Sequence, residues 1–186
     1  LNLIATRGTT AAVSATLTNA TSATTAMEPN SVSLNLAAKI TDNTTNGNHG
    51  VGWTQAAAVT NVSQVGSIHL ARGTGTNNRY VRLQIGNAIG TLTNGFYADF
   101  DLSAGTVGAC TAVGNGTATS AAITAYGTGF LCTIIGKASS ASQSPIFSVM
   151  ACSASTTISY AGDTTNNFNY YGQQVFTASA QPTQLT

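Results

Sequence analysis

The clearest pattern in the chain is an alternation of apolar and polar residues with a period of two. It begins after Pro29, where every second residue from Val32 to Ile40 is apolar. Because successive side chains of a β-strand point to opposite faces, this alternation predicts strands with one buried face. The alternation recurs, in regular or less regular form, in six further stretches: residues 67–72, 79–85, 96–102, 130–135, 145–153 and 169–176.

Clusters rich in glycine and asparagine separate the predicted strands. These two residue types adopt the positive φ angles of tight hairpin turns at little cost. No long stretch shows the period of an amphipathic helix, and glutamate and lysine, which favour helices, are nearly absent. Short strands joined by turns predict an all-β protein, an antiparallel β-sandwich with jelly-roll topology.

Residues 1–30 differ in composition from the rest of the chain. They are a mixture of Thr, Ala, Ser and Asn with few bulky apolar side chains. A segment with so little to bury does not fold by itself. We therefore expect an extended N-terminal arm that packs on a neighbouring subunit or lies as an edge strand, and a single β-jelly-roll domain over residues 31–186.

Charge is scarce, since only 6% of the 186 residues are charged, against about 25% in an ordinary soluble domain. Six basic residues are too few for the phosphate contacts that dominate nucleic-acid binding. No apolar run approaches the roughly 20 residues that a membrane-spanning helix needs, so we expect no membrane insertion. Weak repulsion between copies, together with many hydroxyl and amide groups, favours assembly with copies of the same chain.

Carboxylates are also scarce, and an enzyme that cleaves glycosidic bonds needs two of them. Asp99 and Asp101 fall on one face of a predicted strand, about 7 Å apart, but every pair of residues two apart in a strand has this spacing. We expect Asp99 to pair with Arg82 across a hairpin and Asp101 to cap the turn at residues 103–106. The sequence therefore predicts a protein that is not an enzyme.

No metal-binding motif is present, and His49 and His69 lie far apart in the sequence. Asp42 and Asp163 lie in loops and could each give one oxygen ligand to a structural calcium ion. More often such residues bond the backbone of their own turn. We therefore predict no cofactor, with calcium at Asp42 or Asp163 as the alternative.

The chain has three cysteines, and an odd number leaves at least one thiol unpaired. Cys132 and Cys152 fall on predicted strands, where we expect them to act as buried small apolar residues. The alternative is a disulfide between Cys132 and Cys152 across neighbouring strands.

One predicted surface combines aromatic and polar side chains. If residues 79–85 and 96–102 pair as a hairpin, six residues share the face opposite the apolar stripe: Tyr80, Arg82, Gln84, Tyr97, Asp99 and Asp101. Aromatic rings beside hydrogen-bonding groups suit a sugar, whose ring has an apolar face and a rim of hydroxyls. The alternatives are a solvated face and a face buried against another subunit. Trp53 either stacks on a glycan or closes the end of the sandwich.

Several short motifs in the second half of the chain carry a family resemblance. They contain the residues Asp101, Leu102, Gly105, Thr106, Val107, Gly127, Gly129, Phe130, Gly162, Asp163, Tyr171, Gly172, Gln174, Ser179, Pro182, Thr183 and Thr186. In this order and spacing they resemble the concanavalin-like, carbohydrate-binding-module-like jelly roll of bacteriophage tail fibres and head spikes and of gene-transfer-agent spikes. The chain departs from the family pattern at Phe130, where the family usually has Trp, and at Cys132, where it usually has Arg.

The resemblance implies a protein of the virion surface, hence an extracellular one, such as a fibre, head spike or capsid-decorating domain. It implies binding to cell-surface polysaccharide of the host, and association with other virion proteins. Family members also serve as purely architectural domains. One alternative is therefore a structural capsid or extracellular-filament subunit on the same shell, and a second is a secreted polysaccharide-active enzyme.

Overall fold

The computed structural model of the chain describes residues 15–25, 37–55, 58–75 and 78–177. Every regular element in these ranges is a β-strand, and the strands form two large antiparallel sheets and one small one. No helix that could cross a membrane occurs in the described part of the chain. The prediction of an all-β antiparallel sandwich is confirmed, while the jelly-roll order of its strands stays a prediction.

The first sheet has seven strands. They are β1 (Ala15–Thr18), β5 (Gly50–Thr54), β7 (Tyr80–Gly86), β8 (Gly95–Asp101), β9 (Thr106–Val107), β10 (Thr111–Val113) and β13 (Ile146–Cys152). Hydrogen-bonded neighbours follow the order β1-β5-β13-β7-β8-β10, and β9 also pairs with β8. The strands predicted at residues 79–85, 96–102 and 145–153 therefore all lie in this sheet.

The second sheet has six strands in the order β11-β12-β6-β15-β3-β2. They are β2 (Ala20–Thr25), β3 (Ala37–Asp42), β6 (Ser63–Arg72), β11 (Thr117–Tyr126), β12 (Gly129–Lys137) and β15 (Asn167–Thr177). A separate two-stranded sheet joins β4 (Asn46–Asn48) to β14 (Ser159–Ala161). Of the strand predicted from position 31 onward, residues 31–36 lie outside the described residues.

The apolar stripes of the two large sheets face each other and form the core. Leu83 of β7 and Phe96 of β8 are fully buried on one side, as are Ile68 of β6 and Ile134 of β12 on the other. Complete burial of one such side chain contributes about 1.5–3 kcal/mol. The period-two pattern therefore identified the core face of the central strands.

Residues 15–25 lie as edge strands of the sandwich, which is one of the two arrangements expected for residues 1–30. β1 pairs with β5 in the first sheet and β2 pairs with β3 in the second, both within the same chain. Asn19 stands between them with a φ of 45°, a left-handed conformation that asparagine tolerates better than most residues. The segment thus crosses from one sheet to the other as an edge strand of each. Residues 1–14 and 26–30 lie outside the described residues.

A buried polar cluster holds this crossing in place. The side chain of His49 is fully buried, with Nδ1 2.8 Å from the carbonyl oxygen of Asn19 and Nε2 3.1 Å from that of Tyr160. A carbonyl oxygen only accepts, so in either neutral tautomer the single ring N–H donates to one of these two carbonyl oxygens. Asn19 also donates from its side-chain amide to the carbonyl of Asn48 at 3.0 Å. The cluster links the β1–β2 turn to the strands β4 and β14.

The three cysteines are free thiols, so the alternative of a disulfide between Cys132 and Cys152 is wrong. Cys132 lies on β12 of the second sheet and Cys152 on β13 of the first, not on neighbouring strands. Both are buried, and burial raises the pKa of Cys152 to about 12. They act as small apolar residues, as predicted.

Candidate functional site

The β7–β8 hairpin places six of the seven predicted binding residues, all except Trp53, on the outer face of the first sheet. They form three cross-strand pairs: Tyr80 with Asp101, Arg82 with Asp99, and Gln84 with Tyr97. The residues between them on each strand point into the core, as the alternation predicts. The predicted hairpin and the shared face of these residues are therefore confirmed, but the six side chains differ in how far they reach solvent.

Arg82 and Asp99 form the predicted ion pair. Arg82 Nε donates to Asp99 Oδ1 at 2.7 Å and Arg82 Nη2 donates to Oδ2 at 2.8 Å. The guanidinium carbon of Arg82 also lies 3.8 Å from the centre of the Tyr97 ring, a cation–π contact. Only 9% of the Arg82 side chain and 10% of the Asp99 side chain are exposed. The ion pair therefore holds the guanidinium against one side of the Tyr97 ring and so fixes the position of this ring.

Asp101 caps its turn, as predicted, by accepting hydrogen bonds from the backbone N–H groups of Ser103 and Ala104 at 2.9 and 3.0 Å. It also pairs with Arg79, whose Nη2 donates to Asp101 Oδ2 at 2.7 Å. The hydrogen bond from Arg79, followed by those from the backbone, lowers the pKa of Asp101 to about 2. Arg79 was not predicted as part of the site, and its position directly before β7 was the available signal.

The lowered pKa of Asp101 predicts a specific dependence of stability on pH. A carboxyl whose pKa is lower in the folded state stabilises the fold above its unfolded pKa, and this contribution is lost as the pH falls through the folded value. In urea unfolding, Asp101→Asn should therefore be less stable than wild type near pH 6, and the difference should shrink between about pH 4 and about pH 2. A difference that stays constant over this range would contradict the assignment.

Gln84 is not available to a ligand, which corrects its place in the predicted binding set. Its side chain is fully buried, and its amide nitrogen donates to the carbonyls of Ala88 and Gly90 at 3.1 and 2.9 Å. The loop at residues 87–94 thus folds back over the outer face of its own sheet. Gly52 of β5 leaves room for it, because a Cβ at this position would lie 2.6 Å from the side chain of Ile89.

Trp53 closes the interior of the sandwich, and its place in the predicted binding set is likewise corrected. Only 7% of the residue is exposed. Its ring stacks on Phe147 with 5.8 Å between ring centres and meets the edge of Tyr170 at 5.1 Å. Of the two roles considered for Trp53, the structure supports the one in packing.

On the predicted face, the side chains that reach solvent are those of Tyr80 and Tyr97, which are half-buried, and the exposed Arg79 lies beside Tyr80. We call these three residues the Tyr80–Tyr97 surface. The guanidinium carbon of Arg79 lies 4.9 Å from the centre of the Tyr80 ring. Each ring is therefore paired with an arginine, and each arginine with an aspartate.

The two aspartates considered as calcium ligands make other contacts. The carboxylate of Asp42 is buried and accepts a hydrogen bond from the Tyr160 hydroxyl at 2.6 Å, and burial raises its pKa. Asp163 Oδ1 accepts hydrogen bonds from the backbone N–H groups of Thr165 and Asn166 at 2.6 and 2.8 Å. Within the described ranges, no three His, Cys, Asp or Glu side chains cluster as a metal site would need. Calcium binding therefore stays a hypothesis, and the described residues show no cluster of side chains that would supply its ligands.

No protein-family model and no curated protein matches the chain. Of the residues that carry the family resemblance, those in turns or loops are Leu102, Gly105, Gly127, Gly162 and Asp163. Others lie on the strands β8, β9, β12 and β15, and those from position 179 onward lie outside the described residues. Gly105 and Gly127 have φ angles of 66° and 60°, and Asp101 and Asp163 accept hydrogen bonds from the turns that follow them. Such residues shape a shell of strands, while the Tyr80–Tyr97 surface is a separate feature of this chain.

Proposed function

We propose that the protein is a non-enzymatic carbohydrate-binding component of a virion surface, such as a fibre, head spike or decorating domain. The Tyr80–Tyr97 surface would bind a glycan of the host cell. The observation that carries the proposal is the stack of Tyr97 on Arg82, because the buried ion pair with Asp99 holds this aromatic ring in a fixed position. The virion location rests on the resemblance of the short motifs.

The spacing of the two rings favours an extended saccharide. Tyr97 lies opposite Gln84, four residues along β7 from Tyr80, which corresponds to about 13 Å along the strand. A single sugar ring does not span this distance, whereas an oligosaccharide chain does. Rings that are already fixed lose little conformational entropy on binding, which favours affinity.

The state of the carboxylates supports a binding role over a catalytic one. Glycosidases need one carboxylic acid that holds a proton and a second carboxylate that is free to act. Here Asp99 and Asp101 are each engaged by the guanidinium of an arginine, and the pKa of Asp101 is lowered to about 2. Asp101 is therefore not suited to donate a proton near neutral pH, and Asp99 is not a free carboxylate.

Glycan-array binding tests the proposal. We expect wild type to bind a subset of glycans and Tyr80→Ala combined with Tyr97→Ala to lose this binding, by about tenfold for each ring removed. Tyr171→Ala is the matched control, because Tyr171 is a half-buried tyrosine on β15 in the second sheet. Binding that survives the double substitution would contradict the proposed surface. Cleavage of a polysaccharide that is lost in Asp99→Asn would show an enzyme instead.

A further inference from the structure

The strand β11 forms one edge of the second sheet and is unusually long for an edge. It has ten residues, and among the described strands it pairs only with β12. The backbone N–H and C=O groups on the outer side of an edge strand can pair with another chain. Proteins usually protect such edges with charged residues, proline, bulges or short strands.

Most of these protective devices are missing from β11. Its sequence, TATSAAITAY, contains no charged residue and no proline. One irregularity in the pairing lies between Ala118 and Ser120, and from Ser120 to Tyr126 the pairing with β12 is regular. Ser120, Ala122, Thr124 and Tyr126 are all exposed. A regular, uncharged edge of seven residues therefore faces solvent.

Exposed apolar side chains lie next to this edge. Tyr126 is 53% exposed and Leu131 on β12 is 42% exposed. Besides these two, Leu17 is the other exposed large apolar side chain within the described residues. Leu131 lies opposite Thr124 in the register of β11 and β12. An apolar patch thus borders the unpaired backbone, as in sheets that are extended by a further strand.

We propose that β11 pairs in antiparallel fashion with β11 of a second copy of this chain, joining their second sheets into one continuous sheet. A two-fold axis near Ile123 would place Ala122 of each copy opposite Thr124 of the other. Small, uncharged side chains at these positions bring no like charges together, so the edge is complementary to itself. The inference concerns the opposite sheet from the Tyr80–Tyr97 surface and does not depend on glycan binding.

Sedimentation equilibrium of the full chain over a range of concentrations tests this pairing. We expect a monomer–dimer equilibrium for wild type and a dissociation constant raised at least tenfold in Ala122→Lys combined with Thr124→Lys, because the introduced lysines face each other across the axis. The matched control is Ser159→Lys combined with Ala161→Lys, two exposed positions on β14, which should associate like wild type.

Two results would overturn the pairing: wild type that stays monomeric at every concentration, or an edge variant that associates as tightly as the control. Circular dichroism and thermal unfolding establish that each variant is folded. If the double edge variant does not fold, the single substitution Ala122→Lys replaces it in the test. Tyr80→Ala combined with Tyr97→Ala should associate like wild type. Failure of glycan binding and failure of pairing are therefore distinguished.

Discussion

Arg82→Ala is expected to lower the free energy of unfolding by about 3–5 kcal/mol, the usual cost of removing one partner of a buried ion pair. The substitution leaves the Asp99 carboxylate, of which 10% is exposed, without its guanidinium. It also removes the group on which the Tyr97 ring rests at 3.8 Å. Both stability and the geometry of the proposed binding surface should therefore suffer.

Urea unfolding measures this loss, and Arg79→Ala is the matched control. Arg79 also pairs with an aspartate, but 49% of its side chain is exposed, so water screens this pair and its removal should cost clearly less than that of Arg82. Replacing both partners, as Arg82→Met with Asp99→Leu, should recover most of the loss, because no buried charge is left unpaired. Equal losses for Arg79→Ala and Arg82→Ala would contradict the assigned role of Arg82.

His49→Leu is expected to lower the free energy of unfolding by about 1–3 kcal/mol. Leucine fills a similar volume but donates no hydrogen bond, so the carbonyl oxygen that accepts from the imidazole N–H, that of Asn19 or that of Tyr160, loses its buried partner. Each buried acceptor left unsatisfied costs about 1–3 kcal/mol. The loss should loosen the crossing between β1 and β2 most, because Asn19 stands at that crossing.

Chemical unfolding and amide hydrogen exchange measure this effect. His69→Leu is the control, since the His69 ring contacts the carbonyl oxygen of Tyr126 through Nε2 at 2.9 Å, far along the chain from residues 15–25. Its loss should cost about 1 kcal/mol. We expect faster exchange over residues 15–25 in His49→Leu and unchanged exchange there in His69→Leu. Unchanged exchange over residues 15–25 in His49→Leu would refute the role given to the His49 cluster.

The hairpin at the centre of the candidate site was predictable because the side-chain period of a strand fixes which residues share a face. Once residues 79–85 and 96–102 are paired, Arg82 lies opposite Asp99, and their opposite charges attract each other across the two strands. The cap at Asp101 was predictable for a similar local reason, because its carboxylate accepts from the N–H groups of the residues two and three positions later in the chain.

The alternation does not show what covers a face, and this is why Gln84 was assigned wrongly. Gln84 lies on the predicted face but beneath the loop at residues 87–94, whose Ile89 packs on the sheet at Gly52. The sequence allowed edge strands within residues 1–30 but not the choice of their partner strands. Apart from Leu17, the described side chains of residues 15–23 are small, and most are exposed, so backbone pairing places β1 and β2 and leaves little trace in the sequence.

The most direct test of glycan binding by the Tyr80–Tyr97 surface is an NMR titration of isotope-labelled protein with the oligosaccharide that gives the strongest array signal. We predict that the largest changes in amide chemical shift occur on β7 and β8, around Tyr80, Tyr97 and Asp99, and that Tyr80→Ala combined with Tyr97→Ala abolishes them. Saturable changes centred on β11 and β12, or the absence of any saturable change, would contradict the account.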